Sequence, residues 1–306
     1  MAKKALPAAT PPVSVSKQSD FCIGRFDAMA SPCEILIETR DEQLARTITL
    51  LAAVEARRIE HKFSRYRPDS VVSKINTAQG RPIPVDLETH RLLAFAETCF
   101  QLSEGMFDIT SGILRNAWKF DGSDNVPNVR QIKPLLSKIG WQHTRLSDTT
   151  FTLPEGMEID LGGIGKEYAV DKVADAIKSG YSGISVVVNF GGDIQVTERR
   201  KHDQPWMIGI ENPAAAAGVT DTIVKIYQGG LATSGDARRY LLKHGKRYSH
   251  ILNPFTGYPV ISPPRSVTVA AENCTQAGLL ATLAMLQGKH AAQFLAEQGL
   301  THWIYN

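Results

Sequence analysis

The sequence predicts an α+β protein, with helices concentrated in its first half and a meandering, mostly antiparallel sheet in its second. Three observations carry this expectation. Long runs before residue 103 place apolar residues at helical spacing. Beyond residue 180, short β-branched and aromatic segments follow one another, separated by glycine-bearing turns. Neither a repeat nor a linker divides the 306 residues, so 21–306 are read as one domain behind a disordered tail, 1–20.

In chain order, Cys33–Glu38 alternates as a strand does, and Asp41–Lys62 carries Leu44, Ile48, Leu51 and Ala52 along one helical side. Asp69 and Ser70 cap a short helix ending at Asn76. A further helix covers Leu87–Ser103, and the loop Asp121–Asn128 leads into another over Val129–Lys138. Ile184–Asn189 reads as a buried strand that closes on a glycine corner, Phe190–Ile194. Strands are expected at Trp206–Ile210, Thr222–Tyr227, Arg239–Leu242, Arg247–Leu252 and Ser266–Ala271, with a hairpin turn at His244–Lys246. Helices at Ala277–Leu286 and Ala291–Gln298 and a strand around Trp303 finish the chain.

Composition narrows the function classes. A net charge of +3, with both signs interspersed, gives no basic stripe for nucleic acid. No apolar run approaches the roughly twenty residues that span a bilayer, so membrane insertion is not expected. Cys22, Cys33, Cys99 and Cys274 are too scattered for a zinc site or a redox pair. Lys3 and Lys4 precede Leu-Pro-Ala-Ala-Thr-Pro-Pro rather than an apolar signal core. The expected compartment is the cytoplasm.

The most informative segment is Asp160-Leu-Gly-Gly-Ile-Gly-Lys-Glu-Tyr-Ala-Val-Asp171. Glycines let backbone approach a ligand, and the helix beyond them offers free N–H groups and a partial positive charge. Lys166 adds a full charge there, so the turn can hold a phosphate or pyrophosphate. In isolation such a turn more often serves close packing, and its spacing is neither a dinucleotide fingerprint nor a P-loop. Further polar clusters fall at turns, and each alone reads more readily as a cap or a strand end.

Taken together and in order, these clusters resemble the ApbE family of FAD:protein FMN transferases, from about Phe21 to Asn306. The matching pieces are Met29-Ala-Ser, Phe63-Ser-x-Tyr66, Gly105-x-Phe-Asp-x-Thr110, the glycine turn, Tyr168-Ala-x-Asp171, Asn189-x-Gly-Gly, Thr233-Ser-Gly235, and His250 ahead of Pro254-x-Thr-Gly-x-Pro259. The resemblance implies a T-fold-like ApbE architecture. It implies an enzyme that splits FAD with Mg2+ and attaches FMN by a phosphoester to a Thr or Ser of a target flavoprotein. It places FAD against Met29, Tyr66, Met106, Phe107, Asp108, Asp160, Lys166 and Ile251, and the metal at the Gly163 carbonyl and Thr282. It makes His250 the base that deprotonates the acceptor hydroxyl, a task suited to a group that titrates near neutrality. The residues alone also allow a strand histidine bonded to its neighbour.

Some positions depart from the resemblance. Gly278 stands where the metal-binding aspartate is usual, Glu167 where glycine is common, Asn253 where aspartate precedes the proline, and Phe255 where a basic residue is frequent. Glu167, Asp193 and Asp236 are the carboxylates that could serve instead, and sequence does not place them. Alternative expectations are therefore an FAD-binding protein without transferase activity, or a slow FAD pyrophosphatase.

Overall fold

Asp41 caps the first long helix by accepting from the Gln43 and Leu44 N–H groups, and Ala45, Ile48, Ala52, Ala56, Ile59 and Phe63 then line its buried face. The computed structural model describes residues 11–216, 218–236 and 240–306. In chain order these form β1 (Ser14–Lys17), β2 (Cys22–Ala28), β3 (Ser31–Ile37), α1 (Glu42–Phe63), α2 (Val71–Asn76), β4 (Ile83–Pro84) and α3 (Leu87–Leu102). A 3-10 helix (Ile109–Asn116), α4 (Val129–Leu136), β5 (Arg145–Leu146), β6 (Thr150–Thr152), α5 (Gly165–Gly180), β7 (Val186–Phe190) and β8 (Asp193–Val196) follow. The remainder comprises β9 (Trp206–Glu211), β10 (Thr220–Ile226), β11 (Gly229–Gly235), β12 (Tyr240–Lys243), β13 (Lys246–Ser249), β14 (Ser266–Ala271), α6 (Cys274–Leu286), α7 (Ala291–Glu297) and β15 (His302–Tyr305).

One eight-stranded antiparallel sheet, ordered β1-β2-β3-β7-β8-β11-β14-β15, draws strands from both ends of the chain. Helices α1, α5 and α6 cover one face. Val186 and Val188 point toward them, whereas Val187, Ile194, Val196 and Leu231 face Trp206, Ile208 and Ile226 of the β9–β10 hairpin. Burial on both faces explains why β7 is a continuous apolar run rather than an alternating one. Helix α6 is apolar around its circumference because it packs against β11, β14, α5 and α7 at once.

The helices expected from periodicity are present, with caps at Asp41, Ser70, Asp86 and Asn128. Two expectations change. Residues 14–17, assigned to a disordered tail, form β1, because Val13 and Val15 alternate onto the core beside α1. The strand expected over Arg247–Leu252 stops at Ser249, which leaves His250 beyond its end. Arg239, where a further strand was expected to start, lies outside the described residues, and Tyr240–Lys243 form β12. The central strand β11 had no sequence expectation: Gly229, Gly230 and Gly235 dilute its apolar signal, and neighbouring strands determine its conformation. Among the described residues, no helix is long and apolar enough to cross a membrane.

Charged side chains join α1 to α3. Glu88 accepts from Arg58 (2.6 and 2.8 Å) and Lys62 (2.6 Å), and the Tyr168 hydroxyl of α5 donates to it at 3.1 Å. Arg58, with Lys62 adding to it, holds the Glu88 carboxyl down at about 2, against an ordinary 4.5. A depressed acid stabilises the fold above its unfolded pKa and loses that contribution as pH falls. Partial exposure screens the effect to about 1–2 kcal/mol. Urea denaturation of Glu88→Gln should therefore show a deficit that is constant above about pH 5 and shrinks steadily toward pH 2. A deficit that does not vary with pH would contradict this role for the carboxylate.

Candidate active site

Two tight hairpins bring the expected pieces to one end of the sheet. Between β2 and β3 the loop is Met29–Ala30, with Ala28 paired to Ser31 and both loop residues at positive φ (55° and 53°). Non-glycine residues occupy that region at a cost, so the turn needs outside support. The Glu60 carboxylate of α1 provides it by accepting from the Met29 N–H at 3.0 Å. The second hairpin joins β7 to β8 through Gly191–Gly192, whose φ values of 62° and 100° suit glycine. Asn189 Oδ1 accepts from the Gly192 N–H (2.9 Å), and the Gly191 N–H donates to Pro32 O (3.1 Å), tying the two hairpins together.

The glycine-rich turn packs beside them. Asp160 Oδ1 accepts from the Gly162 N–H at 2.9 Å, while Oδ2 pairs with Arg65. Arg65 also donates to the Tyr66 hydroxyl at 2.7 Å and stacks its guanidinium 4.9 Å from that ring. Tyr66 is 79% exposed, so the core does not account for it, and the ring surface that Arg65 leaves uncovered is open to a flat ligand. Phe107 lies under the turn: a Cβ on Gly163 would come within 3.2 Å of its ring. No side chain caps the start of α5, which leaves its first N–H groups to the turn and a ligand.

Asp108 is buried, and protein donors take both of its carboxylate oxygens. Oδ1 accepts from the Thr110 N–H (2.8 Å) and hydroxyl (2.7 Å), and Oδ2 from the Trp141 N–H (3.0 Å). Its carboxylate holds the turn that carries Met106 and Phe107. Asp171 acts similarly, accepting from the Cys274 and Thr275 N–H groups at 2.9 Å and so anchoring the start of α6 to α5.

His250 stands edge-on to Phe120, with ring centroids 6.2 Å apart, and Phe120 stacks on Trp118. Ile251 is buried, its N–H bonded to Ser249 Oγ at 3.1 Å. The following loop is organised by Asn253, whose Oδ1 accepts from the Phe255 and Thr256 N–H groups (2.9 and 3.1 Å). An aspartate would accept the same two bonds, so this departure leaves the loop geometry intact. The Asn253 amide donates to Met106 Sδ at 3.7 Å, joining the loop to the Met106–Phe107 turn.

The third group lies between α5, β8 and α6. Lys166 Nζ stands 2.7 Å from Asp193 Oδ2, and Asp193 Oδ1 accepts from the Thr233 N–H at 3.2 Å. Burial opposes the Lys166 charge, but the adjoining Asp193 outweighs it and raises the ammonium pKa. Glu167 is pushed up, first by burial and then by the Asp193 carboxylate. Its Oε2 is enclosed and accepts no hydrogen bond. Helix α6 has no side chain at Gly278, where a Cβ would fall 2.5 Å from Glu167 Cγ and 3.2 Å from Oε1. Two of the positions that depart from the resemblance thus touch each other. Thr282 lies one turn further along the same side of α6. Asp236 is committed elsewhere, held by Arg247 and Arg265 at 2.9 and 3.0 Å.

Sequence reasoning missed Arg65, Trp118 and Phe120. A cation inside Phe63-Ser-Arg-Tyr66 was the available signal for the first. The two aromatics sit on a loop edge without periodicity, so no local pattern marks them.

An uncapped helix start with a lysine beside it and an exposed aromatic ring suit a ligand that has flat rings and an anionic link. A model of the ApbE family matches residues 29–304, and the chain belongs to that family. It is 33% identical over 246 residues to the FAD:protein FMN transferase of Vibrio cholerae, covering 78% of this chain and 73% of that protein. The Klebsiella pneumoniae FAD:protein FMN transferase is 31% identical over 261 residues, covering 83% and 79%. Among solved structures, the ApbE protein of Thermotoga maritima superposes with a TM-score of 0.84 at 31% identity, covering 93% of this chain and 94% of its own. The flavin transferase ApbE of Vibrio cholerae gives 0.79 at 27% identity, covering 96% and 94%.

Proposed function

We propose that this protein is an FAD:protein FMN transferase that joins the FMN half of FAD to a Thr or Ser hydroxyl of a target flavoprotein. The acceptor oxygen bonds to the FMN phosphorus, the pyrophosphate P–O bond breaks, and AMP leaves. The observation that carries this reading is the intact glycine turn, with Lys166 at its helix start, in a chain so similar to enzymes of that name.

In this reading Tyr66 and Met106 bear on the flat rings, Phe107 and Asp108 shape the turn below them, and Met29 and Ile251 close the flanks. Asp160, held by Arg65, orients the glycine turn. Lys166 offsets pyrophosphate charge, and His250 takes the proton from the acceptor hydroxyl. Mg2+ is the metal the family resemblance implies, and bound there it would neutralise phosphate charge as the bond breaks. Among the described residues, no three His, Cys, Asp or Glu gather as a metal cluster. Magnesium commonly takes one or two carboxylates and completes its shell with phosphates and water. The unsatisfied Glu167 oxygen beside Asp193 fits that donor set, and Gly163 O and the Thr282 hydroxyl belong to the same proposal. Glu167 at the bare Gly278 supports transfer over a mere flavin carrier. Four buried free thiols fit action in the reducing cytoplasm.

Protein, FAD, Mg2+ and a candidate target should give a target band that stays fluorescent on a denaturing gel, and EDTA should abolish it. Tight FAD binding without modification of any flavoprotein acceptor would refute transfer.

A further inference from the structure

We propose that the carboxylates of Glu167 on α5 and Asp193 on β8 together hold a divalent cation, the Glu167 arm reaching it through the space that Gly278 leaves open on α6. The cation's purpose rests on the transferase reading, whereas its location rests on the geometry of these residues.

An enclosed carboxylate oxygen without a donor is costly, and Glu167 Oε2 is one. Asp193 is 2% exposed, and its Oδ2 faces Lys166 at 2.7 Å without accepting a well-aligned hydrogen bond. The two carboxylates therefore share one ammonium, and the group keeps an excess of negative charge when both are ionised. A small hard cation satisfies the open oxygens and the charge together, and oxygen donors select Mg2+ or Mn2+ over softer metals.

Gly278 is the reason that Glu167 can reach this place. A Cβ there would stand 2.5 Å from Glu167 Cγ and 3.1 Å from Cδ, so the carboxylate arm fills the volume that a side chain at 278 would need. Asp171 fixes the pairing by tying the start of α6 to α5 (2.9 Å), which holds residues 167 and 278 in register. A carboxylate can enter from α5 or from α6, but the two cannot occupy the same space.

Mn2+ titration of the full chain without FAD, followed by the paramagnetic resonance of free Mn2+, tests the proposal. Wild type should bind one Mn2+, and Glu167→Gln should weaken binding by about tenfold or more. Gly278→Asp alone should weaken it also, because the new side chain collides with Glu167. The exchange Glu167→Gly with Gly278→Asp should recover wild-type affinity to within about threefold, which guards against simple misfolding. Unchanged Mn2+ affinity in Glu167→Gln, or no binding by wild type at millimolar Mn2+, would overturn it. The gel assay reports separately: Glu167-dependent Mn2+ binding without FMN transfer sinks only the transferase, and transfer with Glu167-independent binding sinks only this site.

Discussion

Lys166→Met should be damaging twice over, since it strikes both stability and turnover. Lys166 lies 2.7 Å from Asp193, which is almost fully buried, and Glu167 is the next carboxylate. Removing the ammonium leaves two enclosed carboxylates without their counter-charge, and breaking such a pair costs about 3–5 kcal/mol when both partners are buried. Lys166 is itself 29% exposed, so about 2–4 kcal/mol is expected in urea denaturation with EDTA present. Millimolar Mg2+ should return part of that loss, because a cation can stand in for the missing charge. FMN transfer should fall by about 10²–10³-fold, as for the loss of one preorganised group facing developing charge. A stability change below about 1 kcal/mol would mean that the pair is not the electrostatic centre described here.

His250→Ala should separate FAD binding from transfer instead. His250 lies beyond the end of β13, against the ring of Phe120 and outside the sheet. FAD affinity, read from quenching of flavin fluorescence, should stay within about threefold of wild type, while transfer drops by about 10²–10⁴-fold. His250→Gln should keep the packing on Phe120 yet fail to rescue transfer, because an amide cannot accept the acceptor's proton at neutral pH. A residue that only packs would give the opposite result, with recovery in the glutamine variant. Retention of more than about a tenth of wild-type transfer in both variants would remove His250 from the role of base.

Much of the site was legible in short motifs because its backbone turns are local. Gly191–Gly192 needs positive φ, Asn253 organises a turn through its own side chain, and the glycines before α5 mark a helix start. The departures were legible as well, but their meaning was not. Gly278 read as a missing ligand, and only the packing of α5 on α6 places the Glu167 carboxylate in the vacated volume. Asp108 matched a flavin-contact position, and only the fold shows that its oxygens also accept from Thr110 and Trp141. Arg65 gained its importance from Asp160, a residue remote in the chain.

Alone, the sequence determined the helices with their caps, the turn chemistry and the α+β class, since these depend on neighbours within one or two turns of chain. Tertiary structure decided the conformation of β11, the order of β1 and the packing of the Glu167 side chain against Gly278. Each of these depends on contacts between elements distant in sequence, where burial and shape govern and no local period records the partner.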